Sequence, residues 1–372
     1  MSDSVKWLGF FAGIASRIYL MHSGIFGLSE RPEFATPLNS YKRLREGIVL
    51  SQNDLDPYAG VLFHETPFAL KFFAFLYEML SEPIANMIFI FGDVLTTIVL
   101  GKVADLVAIN LLIQQKKDAK KLHKDAKEEL LVHVEDVESM SSLVQAAYLF
   151  HPYLMASCAA KTTTVFANLF LATFLWMALR KQKIFACLSL AFATYQSFYP
   201  VMLIVPLILM ISESDSDLKM TSFSVTAIFS GFLVAIFYFS YMIMGSSWTF
   251  LSSTMGFILA VPELTPNMGL FWYFFTEMFE HFRVFFVCTF QINCFIYVIP
   301  LAAKLRNQVR QFHYQTCIVE VFTRKFELHA IRTFNDGNGT KCSIAMKFLA
   351  LLKFERMNSF KNFSSLHIIF KT

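Results

Sequence analysis

The segment from Leu264 to Phe286 places four polar side chains, Glu277, Glu280, His281 and Arg283, among nine aromatic residues. A carboxylate and an imidazole four residues apart share one face of a helix, where they can bind a metal ion. Helices that bind two metal ions use Glu-x-x-His, and zinc proteases use His-Glu-x-x-His, whereas Glu280 stands three residues after Glu277. The pattern therefore predicts no metal site and favours an ion cluster with Arg283 at a membrane surface.

A second group of acids has the Asp-x-Asp spacing, in Asn53-Asp54-Leu55-Asp56. Such a pair can coordinate a metal-bound sugar phosphate or supply a catalytic base. The same residues also suit a turn, because Asp56 precedes Pro57. His64 and Glu65 lie close by in the sequence and fit either interpretation. A catalytic role for Asp54 or Asp56 is therefore an alternative and not the first interpretation.

Nucleophilic catalysis would need a cysteine or serine beside a positioned histidine, outside the lipid-facing core. His151 has Cys158 seven residues away, but it precedes Pro152 and is expected at a wet membrane edge. The six cysteines show no Cys-x-x-Cys spacing, which predicts neither a zinc site nor a disulfide framework. We predict no catalytic residue and no cofactor.

The composition describes the surroundings of these residues. The chain is 55% hydrophobic, holds 43 Phe and only 16% charged residues, and has a mean hydropathy of +0.50. These values are typical of integral membrane proteins and not of soluble globular ones. The net charge of +4 comes from scattered Lys and Arg, so no basic face is available for nucleic acid. We exclude nucleic acid as a partner.

Apolar runs long enough to cross a bilayer recur along the chain. Residues 5–28 are predicted as an uncleaved first span, because Arg17 interrupts the run and no clean cleavage site follows. Residues 68–80 are too short to span. The remaining predicted membrane segments are 84–113, the hairpin 143–160 with 162–179, and the run 184–211, which is predicted to break at Tyr199-Pro200.

Lysine and arginine counts orient these segments, since cytoplasmic loops carry the excess. Six Lys in the charged loop 114–142, and Arg180, Lys181 and Lys183 after the hairpin, predict a cytoplasmic location for both. This assignment places three segments on the lumenal side: 29–65, Tyr195–Pro200 and 246–281. Thr265-Pro266-Asn267 then starts a helix at the membrane interface, where aromatic rings and charges are both tolerated.

Several strings resemble the PIG-U family, the polytopic subunit of the glycosylphosphatidylinositol (GPI) transamidase. They are SERPEFATPLNSYKRLREG, DPYAGVLFHETP, YLFHPYLMASCAAKTTT, LSLAFATYQSFYP, TPNMGLFWYFFTEMFEHF and VCTFQINCFIYVIPLAAKLR. The resemblance covers about residues 29–306. It implies an all-α, polytopic membrane helix bundle in the endoplasmic reticulum, similar to the GT-C-like glycosyltransferases that use lipid-linked sugars.

The resemblance also implies a role. The family's complex removes a C-terminal attachment signal from a precursor protein and transfers the new carbonyl to the ethanolamine amine of the GPI lipid. A separate Cys-protease-like subunit supplies the nucleophile, so this chain is expected to be non-catalytic. Its expected partners are the other transamidase subunits, the membrane, and the GPI lipid or the attachment signal, one of which it recognises.

The resemblance ends where the family continues through further membrane helices. Residues 1–306 are expected to form the membrane domain, whereas residues 307–372 have mixed charge and no span. We expect this tail not to be a folded domain and the membrane part to be truncated.

These observations predict a lipid-facing groove at the lumenal ends of the helices, with apolar walls for acyl chains and polar tips for head groups. The candidate residues are Tyr195, Tyr199, Asn267, Phe271, Trp272, Phe274, Phe275, Glu277, Glu280 and His281. Two alternatives remain open. One is a glycosyltransferase acting on GPI precursors with Asp54 or Asp56 as the base, and the other is a scaffold whose aromatic segment packs against partner subunits.

Overall fold

The computed structural model of this 372-residue chain describes residues 3–24, 27–118, 134–212, 218–264, 266, 270–298 and 300. All of them belong to one unit, Met1–Ala330. The predicted tail 307–372, Asn267 and the middle of the charged loop 114–142 lie outside the described residues.

The described residues are helical or irregular and contain no β-strand, which confirms the predicted all-α class. Short 3₁₀ turns cover Leu28–Glu30 and Tyr199–Leu203. The helices are α1 (Asp3–Ser23), α2 (Tyr41–Gln52), α3 (Pro67–Met79), α4 (Glu82–Asp118), α5 (Val134–Leu149), α6 (Pro152–Ala159), α7 (Thr164–Leu179), α8 (Lys183–Ser197), α9 (Ile204–Ser212), α10 (Leu218–Ile243), α11 (Thr249–Ala260), α12 (Leu270–Glu277) and α13 (Glu280–Ile296).

Proline and histidine set several helix ends. α3 and α6 begin with Pro67 and Pro152, whose fixed φ suits the first helical position and whose missing N–H would have no partner there. The His151 ring caps α6 by accepting from the Leu154 N–H. The predicted break at Tyr199-Pro200 is confirmed, because α8 ends at Ser197 and Phe198 turns the chain with a φ of 59°.

Two helices in the described part, Glu82–Ile113 and Leu218–Ile243, are long and apolar enough to cross a bilayer. The first belongs to α4, whose 37 residues extend about 55 Å, more than the hydrocarbon thickness. Half of its most apolar stretch is buried by other helices, but only 17% of the corresponding stretch of α10 is. α10 therefore presents most of its apolar surface outward.

The buried core has two clusters. The larger one joins residues of α4, α7, α8, α9 and α10 around Phe174, Leu190 and Leu207. The smaller one joins α2, α3 and α4 around Leu44, Leu70 and Phe89. Glycine allows the closest approach in the second cluster, because a Cβ on Gly47 would lie 2.4 Å from the Phe63 ring.

One end of the helix set gathers polar side chains that come from α8, from α10, from the residue just before α7 and from the segment 29–65. We call this region the polar end and define it by Glu65, Thr163, Tyr195, Gln196 and Ser240. Hydrogen bonds join Thr163 to Glu65 and Gln196, and Tyr195, the neighbour of Gln196 in the sequence, to Ser240. It lies at the start of α7 and near the ends of α8 and α10. Farther along α4 and at the end of α7, Lys102 and Arg180 lie over the ring of Trp176.

Candidate functional site

Glu65 is a fully buried acid of the polar end. Its Oε1 accepts a hydrogen bond from the Thr163 hydroxyl, and its backbone carbonyl accepts one from Tyr58 Oη at 2.8 Å. In the described part of the chain no Lys, Arg or His lies within ion-pairing distance of it. Burial raises the pKa of Glu65 to about 7, although the hydrogen bonds from Thr163 and Thr66 oppose the rise. Glu65 therefore sits near the midpoint of its titration at neutral pH.

The end of α8 supplies the next two polar groups. The Tyr195 hydroxyl shares a 2.6 Å hydrogen bond with Ser240 Oγ of α10 and accepts from the Phe68 N–H. Gln196 Nε2 donates to the Thr163 carbonyl at 3.0 Å. These bonds join α3, α7, α8 and α10 around Glu65. Tyr195 is consequently buried, so it is a framework residue and not part of an open groove wall.

Asn39 fastens the irregular segment 29–65 to the start of α7. Its Nδ2 donates to Thr164 Oγ1 at 2.6 Å, and its backbone carbonyl accepts from the Thr163 N–H. Its Oδ1 accepts from both the N–H and the hydroxyl of Thr36. The long segment is therefore an ordered part of the structure.

A second polar group lies where α2 meets the start of α4. Tyr41 and Tyr77 both donate to Asn86 Oδ1, and Arg45 pairs with Glu82 at 2.9 Å. The Lys161 ammonium lies 4.0 Å from the Tyr41 ring. Burial lowers the pKa of Lys161 and raises that of Tyr41. This group adds cationic and phenolic donors beside the polar end.

The segment 29–65 is also joined to α11 and the residues after it. Arg43 makes two hydrogen bonds to the Glu263 carboxylate and one to the Leu62 carbonyl. His64 stacks on Phe257, with 3.6 Å between ring centroids, and its Nδ1–H donates to the Ser253 carbonyl. Burial lowers the pKa of His64, which favours the neutral ring. Two of the three segments predicted on the lumenal side are thus in direct contact.

Ser253 belongs to a π-helical turn, Ser252–Gly256, within α11. A π turn carries its hydrogen bonds one residue farther along than an α turn, and such turns are frequent at functional sites. No residue pattern in this segment indicates such a turn.

The aromatic segment forms two short helices, α12 and α13, separated at Met278 and Phe279. Phe275 is buried, and Phe274 packs edge-on against Phe286 and Phe290. Phe279 is 79% exposed, which gives the segment an open apolar surface.

The acids of this segment do not form the expected ion cluster. Arg283 donates to the Val261 carbonyl instead of pairing with an acid. Glu277, Glu280 and His281 are exposed and, within the described residues, take part in no ion pair. The predicted cluster is wrong because α12 ends at Glu277, so the four residues do not share one continuous helix.

The other predicted site residues are placed as follows. The Tyr199 hydroxyl donates to Gln291 Oε1 of α13, which brings the Tyr195–Pro200 turn against the aromatic segment. Trp272 is half-buried and packs on Tyr273. Phe271 lies in α12, and Asn267 lies outside the described residues.

The Asp-x-Asp pair lies at an exposed turn. Asp56 Oδ1 accepts from the Tyr58 N–H, and Asp54 has a positive φ of 55°. Both features are ordinary turn chemistry. The geometry supports the turn interpretation of these acids.

A buried ion pair between α1 and α4 escaped the sequence reasoning. Arg17 Nε donates to Asp93 Oδ2, and its Nη1 donates to the Leu149 carbonyl at 2.7 Å. Tyr148 Oη donates to the other carboxylate oxygen at 2.8 Å. The available signal was a pair of opposite charges in two predicted spans, Arg17 in 5–28 and Asp93 in 84–113, since charges in membrane segments usually pair.

Comparison with known proteins gives one consistent result. The model of the family described as GPI transamidase subunit PIG-U matches residues 11–334. That range extends beyond both predicted limits of the resemblance, residues 29 and 306. The human protein named GPI-anchor transamidase component PIGU is 38% identical over 307 residues, which cover 79% of this chain and 69% of the relative.

The likeness extends to fungi. The Saccharomyces cerevisiae GPI transamidase component GAB1 is 27% identical over 283 residues, covering 76% of this chain and 63% of the relative. Its homolog in Schizosaccharomyces pombe is 29% identical over 288 residues, covering 75% and 62% respectively.

Proposed function

Because the chain belongs to the PIG-U family of GPI transamidase subunits, we propose that it is a non-catalytic, multi-pass subunit of that complex in the endoplasmic reticulum membrane. Its helix bundle is then of the GT-C-like type, with the segments 29–65 and 246–281 on the lumenal side. Its partners are the other subunits, including the Cys-protease-like one that supplies the nucleophile. Its own task is to recognise the GPI lipid.

The observation that carries this proposal is the surface of α12 and α13. Exposed aromatic side chains, Phe274 and Phe279, stand beside exposed acids and His281. Burial of each acyl CH₂ contributes about 0.8 kcal/mol, so such a surface can hold lipid chains. The neighbouring charges suit a polar head group. Arg43, Glu263, Arg283 and Gln291 hold this surface against the segment 29–65.

Crosslinking tests the assignment directly. A photoreactive GPI lipid should label the complex less strongly when Phe274 and Phe279 are replaced by Ala, because the open apolar wall is lost. The matched control is Phe223→Ala on α10, which removes an equally exposed aromatic ring. Phe275 is unsuitable, because it is buried and its loss would disturb packing. Unchanged labelling of the double variant would refute the groove.

The scaffold alternative makes a different prediction. If α12 and α13 only pack against partner subunits, the double variant with Phe274→Ala and Phe279→Ala should associate less with those subunits. The complex that still forms should keep its contact with the lipid. Co-purification of the other subunits, measured beside crosslinking, separates the two functions.

The glycosyltransferase alternative is tested on the lipid products. Cells depleted of this protein should accumulate complete GPI lipid and uncleaved precursor proteins if it acts in the transamidase. A lipid lacking a sugar would instead indicate an enzyme, and then Asp54→Asn or Asp56→Asn should abolish activity. The turn role of Asp56 supports the first outcome. Re-expression of the 372-residue chain shows whether it restores attachment by itself.

A further inference from the structure

Thr163 joins the side chains of Glu65 and Gln196 at the polar end. Its hydroxyl donates to Glu65 Oε1, and its carbonyl accepts from Gln196 Nε2 at 3.0 Å. Only the amide nitrogen can donate to a carbonyl, so this bond fixes the orientation of the Gln196 amide. The Gln196 oxygen is consequently the free atom, and it is buried without a partner. Since about 90% or more of buried polar atoms in proteins are hydrogen-bonded, this exception requires an explanation.

Glu65 has hydrogen-bond donors but lacks a positive counter-charge among the residues that the structure describes. Its side chain has hydroxyl and amide donors but no cation within the described residues, and it is only 4% exposed. A buried carboxylate without a compensating positive charge is unfavourable. The region thus has one acid whose ionised form lacks a counter-charge and one amide oxygen without a donor.

We propose that Glu65 and Gln196 bind the primary ammonium group of a lipid head group. An ammonium carries three N–H donors and one positive charge, which matches both deficits at once. A divalent cation fits less well, because the described residues contain no group of three His, Cys, Asp or Glu that could hold a metal. Gln196 is half-buried as a whole, although its Oε1 is buried. The inference rests on the proposed lipid-binding function and adds a head-group site to it.

Two lipids can supply this chemistry. One is the GPI lipid, whose ethanolamine carries a primary amine, and the other is phosphatidylethanolamine of the surrounding bilayer. Phosphatidylcholine is the informative comparison, because its quaternary ammonium has the same charge and no N–H donor.

Native mass spectrometry of the purified transamidase complex in detergent tests the site. With equal amounts of the two phospholipids added, the complex should retain phosphatidylethanolamine about tenfold more than phosphatidylcholine, as expected for hydrogen bonds to a charged group. Glu65→Gln should bring the ratio close to one, while Glu46→Gln, an exposed acid on α2, should leave it unchanged. Displacement of phosphatidylethanolamine by added GPI lipid identifies the GPI lipid as the occupant. Failure of GPI lipid to displace it assigns the site to the bilayer lipid.

A second variant keeps the test informative if Glu65→Gln does not fold. Gln196→Met removes the free oxygen at similar volume and should also reduce the preference for the amine. Equal retention of the two phospholipids by the wild-type complex would overturn the proposal. In that case crosslinking at the α12 and α13 surface decides independently whether the lipid-binding function stands.

Discussion

Glu65 is an acid whose surroundings favour its neutral form. Its pKa is raised from 4.5 to about 7, so the folded state binds the proton more tightly than the unfolded state does. The stability that protonation of Glu65 contributes is fully present below pH 4.5. It is lost as the pH rises through about 7. The loss corresponds to about 3 kcal/mol.

The isosteric variant Glu65→Gln isolates this effect, because its side chain is neutral at every pH. We expect the variant complex to unfold at a higher temperature than the wild type at pH 8 and at a similar temperature at pH 5. Thermal unfolding in detergent at the two pH values measures the difference, with Glu46→Gln as the control. A variant that is less stable at pH 8 would show that the ionised acid is compensated.

At the residue scale, local chemistry can be predicted from the sequence. Asp56 forms its turn with Tyr58, two residues away, as the Asp-Pro pattern indicated. Glu65 meets Thr163 across 98 residues and Arg17 meets Asp93 across 76, and no spacing rule reaches that far. Only the folded chain brings such partners together.

At the scale of elements, Gly47 of α2 determines how closely the segment 29–65 packs. A methyl group there would lie 2.4 Å from the Phe63 ring, so the ring must move. We expect Gly47→Ala to destabilise the protein by about 1–3 kcal/mol, despite the better helix propensity of alanine. Thermal unfolding compares it with Gly60→Ala, where a new Cβ meets nothing within 4 Å. Equal stability of the two variants would mean that Phe63 repacks freely.

Helix breaks were the most predictable elements. Proline ended the run at Tyr199-Pro200, and the short segment 68–80 forms only the thirteen-residue helix α3. The separation of α12 from α13 was not predicted, because residues 270–286 contain neither proline nor a turn-forming pair after Gly269. Arg283 at the start of α13 instead contacts the Val261 carbonyl, a tertiary contact that the sequence pattern does not encode.

At the scale of the whole molecule, the proposed topology predicts different access to the two faces of the membrane. An Asn-x-Thr acceptor inserted at Gly60 should receive an N-linked glycan, because the segment 29–65 is assigned to the lumen. The same insertion at Lys124 should remain unmodified. Gel mobility before and after glycosidase treatment reports both results. Glycosylation of the acceptor inserted at Lys124 would show that the orientation of the chain is the reverse of the proposed one.

The π turn in α11 constrains the number of residues that this segment can have. Ser252–Gly256 accommodates one residue more than a regular α-helix of equal reach, so a one-residue deletion would leave a continuous helix. The two flanks would keep their facing, because the deleted residue is the one that the wider turn absorbs, but the carbonyl groups inside the turn would take the regular i→i+4 pattern. The geometry that lets the Ser253 carbonyl accept from His64 while Phe257 stacks on the same ring would be lost. The contact with the segment 29–65, and not the integrity of the helix, therefore fixes the number of residues here.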